Sequence, residues 1–209
     1  MVPCADQYEF VARAVPESAL LPSIISVMTD LPDTQALVEA AKLLPSIGRE
    51  AIRAKLEHCE PQEIVEASGL LAVPSPVFVT LRILGELRGC IGSLRPLCTN
   101  LVEETMDRAC AAAFEDPRFP PLTLPELEQT DVEVSILGPL ETVDSPEELD
   151  PGCFGIEVSD GRGRRGVLLP EIAGVEKVGQ QIDLARQKAQ IPRDTNLEIR
   201  RFSVVKVQG

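Results

Sequence analysis

Two short apolar segments in the middle of the chain predict a β-hairpin. Residues 77–83 read Val-Phe-Val-Thr-Leu-Arg-Ile and end at Leu84-Gly85, where glycine permits a tight reversal. Residues 86–91 return as a second strand, in which successive side chains point to opposite faces of the sheet. This alternation predicts one face that carries Glu86, Arg88 and Cys90 and another that carries Leu87 and Ile91.

Helical spacing of apolar residues predicts helices on both sides of this hairpin. Residues 34–59 form the first, which Pro45 and Gly48 are expected to kink or divide. A second helix follows Asn100, the first residue of a capping box, and presents a stripe of small apolar side chains. A third helix covers residues 176–190.

Further strand patterns complete the expected fold. Residues 132–137 alternate between apolar and polar side chains, residues 154–159 and 165–169 form a hairpin, and residues 197–207 form the last strand. Helices and strands alternate without a regular βαβ repeat. The predicted fold class is therefore α+β.

Composition and charge narrow the function classes. The 209 residues are 44% apolar, which is enough to build a core, and the net charge is −13. Nucleic acids and anionic membranes are bound by basic surfaces, so the sequence predicts neither as a partner. Solubility is the simplest interpretation of the negative charge.

Cysteine spacing and the N-terminal residues give further expectations. None of the six cysteines forms a C-x-x-C pair, so neither a metal site nor a cofactor is predicted. The apolar run at residues 19–27 is too short for a membrane span, and no secretory signal is recognised. We predict a cytoplasmic protein, with an N-terminal extension over residues 1–33 and a domain over residues 34–209.

Four sequence blocks carry a resemblance to a known family. The hexapeptide Leu87-Arg88-Gly89-Cys90-Ile91-Gly92, continued by Ser93, resembles the signature of the AMMECR domain family, whose bacterial members are called AmmeMemoRadiSam system protein A. Residues 112–122, 131–137 and 166–170 match the same family in the same order. The resemblance implies two interleaved α+β lobes of mostly antiparallel sheet with packed helices and a groove between them. It also implies that the protein acts together with Memo-like and radical S-adenosylmethionine proteins.

The chain departs from the family pattern at two places. Many members carry a histidine where this chain has Phe154, and many carry a tryptophan after the Leu-Leu-Pro block, whereas this chain has no tryptophan. The residues that are retained are the hexapeptide, the turn at residues 116–119 and Glu133. These retained residues are the candidates for a shared site.

One interpretation of the retained residues is an enzyme. Cys90 is then a nucleophile or redox thiol, Arg88 stabilises its thiolate, and Glu133 or Glu86 acts as acid or base. Asp116 and Arg118 would orient an anionic group of the substrate. A cysteine nucleophile usually has a histidine partner, and the chain offers only the distant His58.

The other interpretation is a binding module, which the sequence favours slightly. Cys90 is then a small buried hydrophobe, and Arg88 pairs with Glu86, Glu133 or Asp116. A small molecule or a partner would bind in a groove around residues 88–90. The candidate ligand-binding residues are Glu86, Gly89, Gly92, Ser93, Asp116 and Arg118.

Overall fold

The computed structural model describes residues 40–61 and 67–209. The predicted extension and the first six residues of the predicted helix at 34–59 lie outside the described residues. The chain divides into two compact units. The first unit contains the described residues up to Leu137 together with residues 205–209, and the second unit contains residues 138–204.

The described residues form helices and antiparallel strand pairs, which confirms the α+β prediction. None of these helices has the length and apolar character that a membrane crossing requires. The helices are α1 (Leu44–Glu57), α2 (Leu101–Phe114), α3 (Leu124–Leu127) and α4 (Val178–Lys188). The strands are β1 (Val77–Ile83), β2 (Glu86–Gly92), β3 (Thr130–Leu137), β4 (Glu141–Thr142), β5 (Phe154–Ser159), β6 (Arg165–Leu168) and β7 (Glu198–Gln208).

The sheet of the first unit has the order β2-β1-β3, with β2 at its edge. Backbone hydrogen bonds between Val132 and Gly209, at 3.2 and 3.3 Å, join the chain end to β3. One face of the sheet packs against α1 and α2 and forms the core. Its fully or nearly fully buried residues include Val77, Val79, Leu81, Val132, Val134, Leu44, Ile52, Leu101, Ala109 and Ala112.

The division predicted at Pro45 is confirmed: Ala40 and Ala41 are helical, Lys42 and Leu43 form a turn, and a new helix, α1, follows. Its first residue is Leu44, and Pro45 occupies the first turn. The N–H groups of the first turn have no acceptor within the helix, so the missing N–H of proline costs no hydrogen bond there. Gly48 does not interrupt the helix. A Cβ atom at this position would lie 3.2 Å from the Ala109 methyl group, so the glycine allows close packing against α2. His58 ends the helix in a left-handed conformation, with φ at 56°.

The hairpin forms at the predicted residues, but its strands contain a bulge. Leu81 lies opposite Gly89 and Arg82 lies opposite Leu87, so Arg88 is the extra residue on β2. A bulge interrupts the alternation of side chains. The prediction that Glu86 shares a face with Cys90 is therefore wrong, because their positions on β2 now have opposite parity.

The second unit has its own core. Its strands have the order β4-β7-β5-β6, and α4 packs against β5 and β6. The predicted hairpin, helix and last strand are all present, with ends that differ by one or two residues. The short strand β4 was not predicted. The buried apolar residues of this core are Leu149, Ile156, Val158, Leu168, Ala185 and Ile191.

Substituting Gly89 tests the packing of the hairpin against α2. A Cβ atom at this position would lie 2.2 Å from the Ala112 carbonyl oxygen, a backbone atom that cannot rotate away. We expect Gly89→Ala to lower the free energy of unfolding by about 2 kcal/mol or more, measured by urea denaturation.

Gly179→Ala is the matched control for this experiment. A Cβ atom at residue 179 meets nothing within 4 Å, and the position lies in the first turn of α4. We expect a change within about 0.5 kcal/mol, or slight stabilisation. Equal stability of both variants would contradict the close approach of β2 to α2.

Candidate functional site

The candidate site is built on the edge strand β2. The backbone N–H and carbonyl groups of Cys90, which point away from β1, form hydrogen bonds with the turn that contains Asp116 and Arg118. The Cys90 N–H donates to Asp116 Oδ2 at 2.9 Å, and Arg118 Nη2 donates to the Cys90 carbonyl oxygen at 3.3 Å. An edge strand otherwise presents such groups to solvent or to another chain. The structure thus joins two of the retained sequence blocks through the backbone of one residue.

Asp116 is the centre of this turn and is buried. Its carboxylate accepts Arg118 Nε at 2.9 Å and Arg118 Nη2 at 2.6 Å, as well as the Arg118 backbone N–H at 3.1 Å. The Arg118 side-chain hydrogen bonds, followed by the Cys90 and Arg118 N–H groups, lower the pKa of Asp116 to about 2 against a smaller opposing effect of burial. Asp116 is therefore an ionised acceptor that holds the backbone.

A row of polar side chains crosses the sheet on the face opposite the core. Thr80 lies opposite Cys90 on β2 and opposite Glu133 on β3, so the three share one face. Thr80 Oγ1 lies 3.4 Å from Cys90 Sγ. Ser135 follows two residues after Glu133 on the same face, is fully buried, and its hydroxyl has no partner among the described residues. We call Thr80, Cys90, Glu133 and Ser135 the polar row.

The surroundings of Cys90 favour the neutral thiol. Burial raises the pKa of the Cys90 thiol, and the negative charges of Asp116 and Glu133 add to this effect. The hydrogen bond from Thr80 and the charge of Arg118 act in the opposite direction, but the net pKa shift is upward. The cation that acts on this thiol is Arg118 and not the predicted Arg88.

Arg88 is buried and pairs with a carboxylate, as predicted, but the partner is different. Its Nε donates to Glu126 Oε1 at 2.9 Å, and its Nη2 donates to the Pro120 carbonyl oxygen at 3.0 Å. The predicted partners were Glu86, Glu133 and Asp116. The bulge explains the difference, because it changes the direction of the strand at Arg88 and lets the side chain reach α3.

Glu126, the partner of Arg88, was not among the candidate residues predicted from the sequence. It was available as the third helical residue of a capping box with Thr123, whose N–H and hydroxyl it accepts at 2.9 and 2.8 Å. Arg88 is the largest cause that lowers the pKa of Glu126 to about 2. One carboxylate therefore caps a helix and neutralises a buried arginine.

The remaining candidate residues lie around the hairpin in other roles. Glu86 is exposed at the start of β2, and Ser93 Oγ donates to the Arg95 carbonyl oxygen after its end. At residue 92, a Cβ atom would lie 2.2 Å from the Phe78 ring, so this glycine makes room for an aromatic side chain. The described residues contain no cluster of three or more His, Cys, Asp or Glu side chains suited to a metal ion.

Comparison with known proteins gives the family. The AMMECR1 family model matches residues 45–207. The chain belongs to the AMMECR1 family. It is similar to a protein from Thermotoga maritima, with 47% identity over 147 residues that cover 69% of this chain and 83% of the relative. A protein from Methanopyrus kandleri is 39% identical over 169 residues, which cover 75% and 80% of the two chains.

Two further AMMECR1-family comparisons add to this. A protein from Clostridium acetobutylicum is 39% identical over 62% of this chain, and the match spans only 27% of that longer relative. The crystal structure of an uncharacterized protein from Pyrococcus horikoshii superposes with a TM-score of 0.71 at 30% identity, covering 79% of this chain and 89% of that one. The names of these four proteins state no activity.

The Asp116 carboxylate gives a prediction about pH. Its pKa is about 2 in the folded chain against an ordinary value of 3.8. The ionised carboxylate therefore adds to the free energy of unfolding above about pH 4, and this contribution is lost as the pH falls toward 2. Because Arg118 is half exposed, we discount the shift and expect Asp116→Asn to cost about 1–2 kcal/mol at pH 7. The difference from wild type should shrink as the pH is lowered, measured by urea denaturation at several pH values.

Asp131→Asn is the control for this prediction. Asp131 is an exposed carboxylate on β3 of the same sheet. This variant should leave the stability at pH 7 and its pH dependence nearly unchanged. A penalty for Asp116→Asn that stays constant down to pH 2 would show that the charge of Asp116 does not act on the fold.

The raised pKa of the Cys90 thiol gives a second prediction. Cys59 is exposed and Cys90 is half-buried, so iodoacetamide should label Cys59 faster in the folded protein at pH 8. Peptide mass spectrometry after timed quenching measures both rates, and denaturation should bring them together. Faster labelling of Cys90 in the folded state would restore the nucleophile hypothesis.

Proposed function

We propose that this AMMECR1-family protein binds a small molecule at the polar row, in a groove around residues 88–90. The observation that carries the proposal is Glu133. Its carboxylate is half-buried and has neither an ion pair nor a hydrogen bond among the described residues. A buried or half-buried charge without a partner is costly, and a ligand that donates hydrogen bonds would remove that cost.

The neighbours of Glu133 indicate which groups such a ligand carries. The buried Ser135 hydroxyl has no partner in the described part of the chain, and Thr80 Oγ1 retains acceptor capacity beside Cys90. Glu133 itself only accepts hydrogen bonds when ionised. The polar row therefore suits a compound with amine or hydroxyl donors, with the Cys90 thiol as part of the wall.

The enzyme alternative has less support from the geometry. Burial raises the pKa of the Cys90 thiol, and two of the groups proposed to assist it are engaged elsewhere: Arg88 with Glu126, and Asp116 with Arg118. Nucleophilic catalysis by cysteine needs a thiolate and a base near it. Glu133 is the one remaining candidate base, and its charge opposes formation of the thiolate.

The proposed partners are Memo-like and radical S-adenosylmethionine proteins, and the proposed location is the cytoplasm. The support for the partners is the family resemblance. In this proposal the AMMECR1-family chain holds a substrate or an intermediate for such enzymes. The half-exposed Arg118, on the turn that holds the Cys90 backbone, is the proposed contact with such a partner, whereas the exposed Glu86 lies at the start of β2 on the other face of the sheet from Cys90.

A capture experiment tests the binding function. The immobilised protein is incubated with a small-molecule extract of cells, washed, and denatured, and the released compounds are identified by mass spectrometry. We expect Glu133→Gln to reduce the retained compound about tenfold, because a hydrogen bond to a charged acceptor contributes about 1.5–3 kcal/mol. Asp131→Asn, on the same strand, is the matched control and should retain it.

A third variant separates binding from catalysis. Cys90→Ser keeps the size of the side chain and removes the thiol, so a binding module should still retain the same compound. If the wild-type protein instead carries a covalent adduct on Cys90 by intact mass, the enzyme alternative is correct. Equal retention by Glu133→Gln and wild type would contradict a site at the polar row.

A further inference from the structure

The second unit contains a cleft beside α4 that the polar row does not involve. Its volume is about 730 Å³, which lies within the range of small-molecule sites, about 300–1,000 Å³. One wall is a face of α4, and the opposite wall is the turn that follows the helix. Apolar side chains also line it: Leu184 from α4, Ile191 and Pro192 from the turn, and Val175 from the loop before α4.

Two arginines of this cleft have no carboxylate partner among the described residues. Arg186 Nη1 donates to the carbonyl oxygen of Arg193, and its buried Nε has no acceptor. The Arg193 side chain is exposed and makes no ion pair. By contrast, Arg165, Arg200 and Arg201 of the same unit each pair with a glutamate.

This absence of partners is informative because the chain has an excess of acidic groups. A net charge of −13 supplies many carboxylates, yet none in the described part of the chain pairs with these two guanidinium groups. A guanidinium group presents a planar set of donors that matches a carboxylate. Both guanidinium groups can therefore accept the carboxylate of another molecule as a hydrogen-bond partner.

The same cleft also contains one acidic side chain, Asp183. It lies one helical turn before Arg186 on α4 and has no ion-pair partner among the described residues. A purely anionic ligand would be repelled by it. A ligand that carries an ammonium group as well as a carboxylate would satisfy Asp183 and the arginines together.

We infer that this cleft binds an apolar α-amino acid. The carboxylate of the ligand contacts Arg193 and Arg186, its ammonium group contacts Asp183, and its side chain lies against Leu184 and Ile191. All three kinds of contact come from the second unit, so this site is independent of the proposed function of the polar row.

Leucine and two of its analogues test the inference by isothermal titration calorimetry. 4-Methylpentanoate is leucine without the amine, and 3-methylbutylamine is leucine without the carboxylate. We expect leucine to bind with a millimolar dissociation constant and each analogue to bind at least about tenfold more weakly, since each loses one charge-assisted contact. Equal affinity for leucine and an analogue, or no saturation by leucine at tens of millimolar concentration, would overturn the inference.

Two variants assign the contacts. Arg193→Gln should weaken the binding of leucine about tenfold and leave the affinity for 3-methylbutylamine unchanged. Asp183→Asn should also weaken the binding of leucine, but it should leave the affinity for 4-methylpentanoate unchanged or raise it. Arg186 is not varied because it also holds the turn at Arg193. Arg162→Gln is the control, because Arg162 is an exposed arginine of the same unit outside the cleft. An equal loss in Arg162→Gln and Arg193→Gln would show a general effect of charge and not a site.

Discussion

The hydrogen bond from the Cys90 N–H to Asp116 is the constraint on which the first unit depends. It closes the edge strand β2 with a turn that lies directly after α2, and Arg118 holds the accepting carboxylate in place. The strand is fixed from the other side by Gly89, which brings its backbone against the Ala112 carbonyl of the same helix. The hexapeptide is thus hydrogen-bonded to the turn at the end of α2 and packs against the side of the same helix. Its glycines and Asp116 are required by this packing before any ligand is considered.

Much of the fold was predictable because its signals are local. The alternation in residues 77–83, the Leu84-Gly85 turn and the capping box at Asn100 all depend on neighbours in sequence, and all three produced the expected elements. The division of the first predicted helix near Pro45 was also predictable, because proline removes an N–H donor; the sequence pattern did not show that Pro45 would lie in the first turn of α1.

The candidate site was less predictable because its geometry depends on one inserted residue. The bulge at Arg88 depends on how β2 pairs with β1 and packs against α2, and a strand pattern read from sequence assumes regular alternation. The site residues that the analysis missed are Glu126, Thr80 and Ser135. Glu126 had a signal, its capping box, but that signal predicts a helix start and says nothing about Arg88. Thr80 needed the register of β1 with its two neighbours. Ser135 shares the face of Glu133 by alternation alone, but its burial and its lack of a partner among the described residues needed the structure.

The carboxylates of this chain differ in whether the fold supplies a cation for them. Glu157 in the second unit is almost fully buried, and it pairs with both Arg165 and Arg200. Asp116 and Glu126 in the first unit are likewise held by arginines, and the pKa of each is lowered to about 2. These three carboxylates are therefore each paired with an arginine within the described part of the chain. Glu133 is half-buried beside a buried hydroxyl that also lacks a partner, and it has no such cation among the described residues. This difference between Glu133 and the carboxylates that hold the fold is the physical basis of the binding site proposed at the polar row.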